Sequence, residues 1–252
     1  MSPSLIAVLF VVAFGTSIIG VITGGNSLVN VPVMIWCGMQ PREAIATNMF
    51  ACVFMTLSAT VRFHREGLVR HKLALPLCAI TLVTSVIGAQ LTVVLSEAAV
   101  KTTVGASLVV MLIFMAARPR FGDTQSAPTP TRQALGYLAC AVLGVYGGMY
   151  SGGYTTLLTF ACVTAFGMPL LSAVGLTKLI NLVSCAAATA LFFSARVVDL
   201  RVGIPLCVAM LGGGWVGAHL AIRRGEKFVR VTFLIMVGVL AVKLLIIDTL
   251  RH

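Results

Sequence analysis

Residues 4–22 form an apolar run without a charged side chain. As a helix such a run rises about 28 Å at 1.5 Å per residue, close to the roughly 30 Å of a bilayer's hydrocarbon core. Further runs follow at about 43–61, 73–94 and 102–117. Their lengths suit helices, and they lack the alternation of polar and apolar residues that marks an outer-membrane barrel. With 59% hydrophobic and 10% charged residues, the chain lacks the polar surface to cover a soluble domain of this mass. It reads as an all-α polytopic membrane protein. The opening Met1-Ser2-Pro3-Ser4 carries no Lys or Arg, so the charged start of a cleavable signal peptide is missing and residues 4–22 are expected as a retained span.

A glycine-broken stretch interrupts this pattern twice. The first runs from Gly20 through Gly24-Gly25-Asn26-Ser27 and a short apolar segment to Gly38-Met39-Gln40-Pro41; the second runs from Gly148 through Ser151-Gly152-Gly153-Tyr154-Thr155-Thr156 to Gly167-Met168-Pro169. The segment from Asn26 to Cys37 spans only about 18 Å as a helix, too short to cross alone. With a constant shift of 129, residues 38–112 lie on 167–241, and Gly38, Met39, Ala44, Phe63, Pro76, Leu77, Cys78, Gly88, Ala89, Leu91 and Glu97 meet identical residues. A one-residue adjustment places Gly20, Gly24 and Gly25 on Gly148, Gly152 and Gly153. The chain therefore reads as a duplicated unit, with a first repeat at 1–117, a cytoplasmic linker at 118–133 rich in Pro, Thr and Ser, and a second repeat at 134–252. Each repeat holds four full spans plus one short broken or re-entrant helix.

If the short segments cross, the repeats are inverted, and loops 62–72, 118–133 and 223–230 share the cytoplasmic face with 11 Lys and Arg against 5 outside. If they re-enter, the balance is 10 to 6 and the cluster Arg223-Arg224-Gly225-Glu226-Lys227 lies outside. The inverted arrangement keeps the basic loops inside, as topology rules favour. The same rule accounts for the net charge of +11, which otherwise would suggest nucleic acid; no nucleic-acid partner is expected.

Paired breaks in apolar membrane helices are the usual place for a small solute to bind. Backbone freed by a break in hydrocarbon needs side chains, water or solute. Asn26, Ser27 and Asn30 follow the first pair, and Ser151, Tyr154, Thr155 and Thr156 flank the second. Exposed N–H groups and the positive dipole end at a helix start favour an anion. Asn26 and Ser27 also suit simple N-caps. The four-residue spacing of Gly20 and Gly24, and of Gly144, Gly148 and Gly152, suits close helix packing as well. Further polar residues follow each short segment: Thr47 and Asn48 in the first repeat, Thr177, Lys178 and Asn181 in the second. An ammonium at Lys178, well inside an apolar stretch, marks a functional site or a side chain that snorkels to the headgroups. Lys243, nearer its helix end, suits snorkelling.

All seven acids (Glu43, Glu66, Glu97, Asp123, Asp199, Glu226, Asp248) fall in loops or at helix ends, which argues against a cation carrier. His219 reads as structural, with a proton site as the alternative. The seven cysteines show no CxxC pairing and read as small hydrophobes. HExxH, GxSxG and P-loop motifs are absent, so no enzyme, metal site or cofactor is expected.

The glycine break after the first span, Gly38-Met39-Gln40-Pro41-Arg42-Glu43-Ala44 with Thr47-Asn48 after it, the basic return loop, and the second copy through Gly175-Leu176-Thr177-Lys178 and Asn181 together resemble the TauE/SafE family. Asn26, where many members carry another glycine, and Leu176 before Thr177 depart from its common pattern. The resemblance implies a multi-pass protein of the bacterial inner membrane with about eight spans that exports sulfite or a related sulfonate. The site expected to hold such an anion comprises Gly24, Gly25, Asn26, Ser27, Asn30, Thr47, Asn48, Ser151, Gly152, Gly153, Tyr154, Thr155, Thr177, Lys178 and Asn181. Lipid is the surrounding partner. Another small organic anion in the same fold, an anion channel or a non-transporting subunit, proton coupling and homo-oligomer formation stay open at this point.

Overall fold

A computed structural model describes residues 3–116 and 129–249, the side chains of 108, 112, 114–116, 230 and 233–249 excepted. Most of the expected linker, Asp123, and the side chains of Lys243 and Asp248 lie outside the described residues. The helices are α1 (Pro3–Thr23), α2 (Asn26–Trp36), α3 (Pro41–Arg65), α4 (His71–Val94), α5 (Glu97–Ala116), α6 (Pro130–Met149), α7 (Tyr154–Phe166), α8 (Leu170–Ser194) and α9 (Leu200–Thr249). The last is two helices joined at Gly225, whose φ of 69° and ψ of −169° interrupt it. Among the described residues there is no strand, and five helices are long and apolar enough to cross a membrane: α1, α3, α4, α8 and the Leu200–Val229 part of α9.

The expected runs correspond to helices that extend beyond them. α3 continues through the basic residues Arg62, His64 and Arg65, which the negative end of the helix dipole favours in a last turn. α5 begins at Glu97 rather than near 102, again because an acid suits a first turn. The short elements α2 and α7, with 11 and 13 residues, are both well short of a bilayer's thickness.

Packing orders the helices crosswise. α1 lies along α9, α6 lies along α4, and α3 and α8 meet in the middle. Glycines set the close approaches. A methyl added at Gly88 in α4 would fall 1.9 Å from the Val145 carbonyl oxygen of α6, and one at Gly148 would fall 2.1 Å from the Ser85 carbonyl oxygen. On the other flank, a methyl at Gly217 in α9 would meet the Ile18 carbonyl oxygen of α1 at 2.5 Å. The expected small-residue packing therefore holds for Gly144 and Gly148, which face Thr84 and Ser85. Gly152 lies beyond the end of α6 and takes no part in that face.

Hydrogen bonds fix the helix directions. The Asp199 N–H, just before α9, donates to Thr47 Oγ1 in the second turn of α3 at 3.0 Å. At the far end of α3, Arg62 Nη2 lies 3.2 Å from His219 Nδ1 on α9. A few residues on, Glu226 accepts from the Leu170 N–H at the start of α8 at 3.3 Å. α3 and α8 are therefore antiparallel, and the basic groups around 62–72 and 223–227 share one end of the bundle. Glu97 does at the start of α3 what Glu226 does at the start of α8: it accepts from the Arg42 N–H at 3.1 Å and pairs with the Arg42 guanidinium. The described acids thus sit at helix ends, as expected.

Outward faces are apolar, with Val8, Val11 and Ile19 on α1 and Leu75, Val83 and Val94 on α4 exposed. Polar residues are inside, Ser17, Asn26, Asn30, Asn48, Ser85, Asn181 and Ser184 among them. This inside-out distribution suits hydrocarbon as the solvent.

Two outcomes follow. Gly88→Ala lowers stability by about 1–3 kcal/mol through overpacking, read as thermal unfolding in detergent, whereas Gly105→Ala, with nothing within 4 Å of the added methyl, does not. Protease sites inserted at Gly67 and at Gly225 are cut from the same side of the membrane, and one inserted at Ser96 from the opposite side.

Candidate functional site

The two breaks meet each other. Gly24 takes a left-handed φ of 83° and Gly153 one of 77°, conformations that glycine alone adopts readily. In each pair only one member carries that turn, since Gly25 has a φ of −96°. Gly152 is needed for space, because a methyl there would lie 2.3 Å from the Tyr150 ring. Against Gly24 lie Thr155 Oγ1 and Thr156 of the other break.

Carbonyls at and beside the breaks accept from side chains. Thr156 Oγ1 donates to the Thr23 carbonyl at 2.5 Å, and the Tyr150 hydroxyl donates to the Ser27 carbonyl at 2.9 Å. Tyr146 donates its hydroxyl to the Gly152 carbonyl, and Thr92 donates to the Met149 carbonyl at 3.0 Å. The N-caps, Gly25 for α2 and Gly153 for α7, bring no side-chain cap. Asn26 and Ser27 are therefore not N-caps but first-turn residues of α2, with side chains turned into the bundle.

Lys178 joins this centre. It is 1% exposed, so it does not snorkel, and its Nζ donates to the Gly20 carbonyl of α1 at 3.2 Å. Among the described residues it is the one buried charged side chain. Their ion pairs, Arg42–Glu97 and Arg62–Glu66, leave it without a carboxylate.

Around it the polar side chains form two linked groups. In the first, Asn48 Nδ2 donates to Ser27 Oγ at 2.9 Å, Asn30 Nδ2 donates to Asn26 Oδ1 at 2.9 Å, and Thr16 Oγ1 donates to Asn30 Oδ1 at 2.9 Å. Asn26 Nδ2 points at Cys52 Sγ and Met210 Sδ, 3.5 and 3.8 Å away. Asn48 Oδ1 is buried with no partner among the described residues. In the second group, Ser151 Oγ donates to Asn181 Oδ1 at 3.3 Å, and Cys185 Sγ lies 3.5 Å from the same oxygen. Each group includes a cysteine: Cys52 Sγ lies 3.5 Å from Asn26 Nδ2 and 3.8 Å from Ser27 Oγ in the first, and Cys185 bonds Asn181 in the second.

Gly24, Gly25, Asn26, Ser27, Asn30, Asn48, Ser151, Gly152, Gly153, Thr155, Lys178 and Asn181 are thus brought around one centre. Three expected members are not. Thr47 bonds the start of α9; Thr177 faces Thr159 at 3.1 Å and bonds the Val174 carbonyl of its own helix. Tyr154 lays its ring on Gly147, and its hydroxyl is buried without a hydrogen-bond partner among the described residues. Cys52, Cys185, Tyr150 and Thr156 belong to the centre although composition marked the cysteines as apolar filler. The signal available was spacing: Asn48–Cys52 and Asn181–Cys185 repeat Asn-x-x-x-Cys, which puts both groups on one helix face.

Comparison with known proteins bears on this arrangement. The family described as "Sulfite exporter TauE/SafE" matches residues 9–244. The chain is 27% identical over 241 residues to the probable membrane transporter protein ORF9 of Sinorhizobium sp., covering 96% of this chain and 92% of that one. It is 27% identical over 240 residues to a probable membrane transporter protein of Haemophilus influenzae, covering 95% and 94%. Against the probable membrane transporter protein YfcA of Escherichia coli it is 27% identical over 245 residues, covering 97% and 91%. No solved structure matches the chain.

Thr156→Val strips the Thr23 carbonyl of its donor and lowers stability by about 1–3 kcal/mol. Thr164→Val, where the hydroxyl bonds only carbonyls of its own helix, changes it by less than about 1 kcal/mol; thermal unfolding of the two purified variants compares them.

Proposed function

The chain belongs to the sulfite exporter TauE/SafE family of membrane transporters, and from that premise we propose that it exports a small sulfur-containing anion, sulfite or a related sulfonate. The observation that carries this reading is Lys178: a buried ammonium held by one backbone carbonyl, where two helix breaks meet, without a carboxylate among the described residues. An unpaired charge in hydrocarbon is costly, and an anion at this centre would offset that cost.

Several features support the rest of the reading. The starts of α2 and α7 lie against each other without side-chain caps, so the positive ends of two helix dipoles converge on one region. Asn26, Ser27, Asn48, Ser151 and Asn181 supply amide and hydroxyl groups there, and Asn48 keeps one amide end unengaged. In this reading Thr47, Thr177 and Tyr154 hold helices in place and do not touch the anion. The antiparallel run of α3 and α8, the crosswise packing of α1 on α9 and α6 on α4, and the matching roles of Glu97 and Glu226 support two related, inverted units. Transport then consists of one unit rocking against the other around a central site.

Another small organic anion in the same architecture is the second reading, since donors and a lysine select charge before they select sulfur. Flux of labelled sulfite into proteoliposomes, with and without an imposed proton gradient, decides between them. Sulfite moves saturably in the reading advanced here, and an unlabelled carboxylate does not compete. Lys178→Met abolishes that flux while the protein stays folded and elutes as the parent does. Undiminished sulfite flux in that variant would remove Lys178 from the site.

A further inference from the structure

The geometry points to a site for one anionic phospholipid where the end of α3 meets α9, with the lipid phosphate on Arg65, His219 and Arg223 and the acyl chains along an apolar strip of α9. This holds whatever the polar centre carries.

Two guanidinium groups share one indole at this end. Arg62 and Arg65 are three residues apart on α3 and so on one face of it, and their Cζ atoms lie 5.7 and 6.0 Å from the centre of a Trp215 ring on α9. Glu66 pairs with Arg62 at 3.3 Å. Arg65 is exposed and has no carboxylate partner among the described residues. Arg62 Nη2 also lies 3.2 Å from His219 Nδ1. A guanidinium offers donors only, so Nδ1 accepts, and the neutral ring keeps its proton on Nε2 as one more donor. Arg223 follows His219 by four residues, on the same face of α9, and is exposed. Residues 62–72 hold four Lys and Arg and residues 223–227 three, against Glu66 and Glu226, and Glu226 is engaged by the Leu170 N–H. Like charges gathered on one ring favour an anion beside them, and the guanidinium fork fits phosphate oxygens.

The apolar part of the site begins at the same indole. Ile204, Val208, Leu211 and Trp215 are exposed, and their spacing of four, three and four residues sets them in one strip along α9. That strip rises about 16 Å as a helix, roughly half of the hydrocarbon core and so the depth of one leaflet. A lipid whose chains lie along it has its phosphate level with the cations. A zwitterionic lipid meets the same strip, and the excess of cations at its head is what selects a negative one.

The test makes Trp215 the reporter. The chain has two tryptophans, so Trp36→Phe in the full chain leaves Trp215 alone, and bromine on acyl chains that touch it quenches its fluorescence. In bilayers of phosphatidylcholine and phosphatidylglycerol, brominated one at a time, phosphatidylglycerol is preferred at Trp215 by about tenfold or more. Arg65→Gln and Arg223→Gln, made separately in that background, each cut the preference about fivefold. Lys101→Gln, exposed on α5 near the other end of the bundle, leaves it unchanged. Each variant must elute as the parent does, and either arginine variant suffices if the other fails to fold. Equal quenching by the two lipids overturns the site, and so does a preference that survives the arginine changes. A loss in Lys101→Gln as large as theirs also overturns it, since net charge alone would then attract the lipid. Trp215 left unquenched by both lipids, in protein that cross-links as a dimer, overturns it in favour of a second copy on this face.

Discussion

A helix that breaks inside hydrocarbon frees backbone groups that no water will meet. The structure depends on how those groups are satisfied here. Thr156 of the second break serves Thr23 of the first, Tyr150 beside the second break serves Ser27, and Lys178 serves Gly20. Each of these bonds crosses from one half of the chain to the other. Bonds within each half serve the breaks too, from the Gly24 N–H to the Gly20 carbonyl and from the Tyr146 hydroxyl to the Gly152 carbonyl, and the three bonds that cross hold the two breaks face to face. The glycines that fit this meeting do so by conformation at Gly24 and Gly153 and by size at Gly152.

Charge is distributed around that centre by the same constraint. The described acids are kept to helix ends, where Glu97 and Glu226 hold the starts of α3 and α8 and where water or headgroups are within reach. One lysine is kept inside. In the proposed reading, the described carboxylates at the ends and the Lys178 amine in the middle make the region where the helices break the one that favours an anion. The cluster of Arg62, Arg65, His219 and Trp215 at one end, with both guanidinium groups over the indole, shows the contrasting use of basic residues, held at a helix end against an aromatic ring.

The residues of the site differ in how plainly the sequence marks them. Lys178 was visible because a charge in an apolar run has few innocent explanations, and the glycine pairs because adjacent glycines in a helix of this length have little reason to exist without a break. Thr47 and Thr177 were drawn in by proximity to the short segments, yet a threonine in a membrane helix can equally bond a carbonyl or a neighbouring helix start, and sequence does not say which. Asn26 and Ser27 looked like caps because caps are what those residues most often are; their use is decided by what stands opposite, and that is Cys52 and Asn48 from another helix. By composition the cysteines read as small hydrophobes, and only the tertiary structure sets Asn26 and Ser27 of another helix against Cys52.

Sequence by itself determined the medium, the helical class and the places where helices break, since these follow from local properties: apolar run length, charge content and glycine conformation are set residue by residue. It also marked Lys178 as a charge inside an apolar run, either functional or snorkelling, and the structure buries it. Tertiary structure decided which polar groups face one another, which end of the bundle the basic turns share, and which carbonyl holds the lysine. Those outcomes depend on contacts between helices distant in the chain, where a rotation of one helix by a single residue position would turn Asn48 or Cys52 from the centre to another neighbour, and no local pattern carries that information.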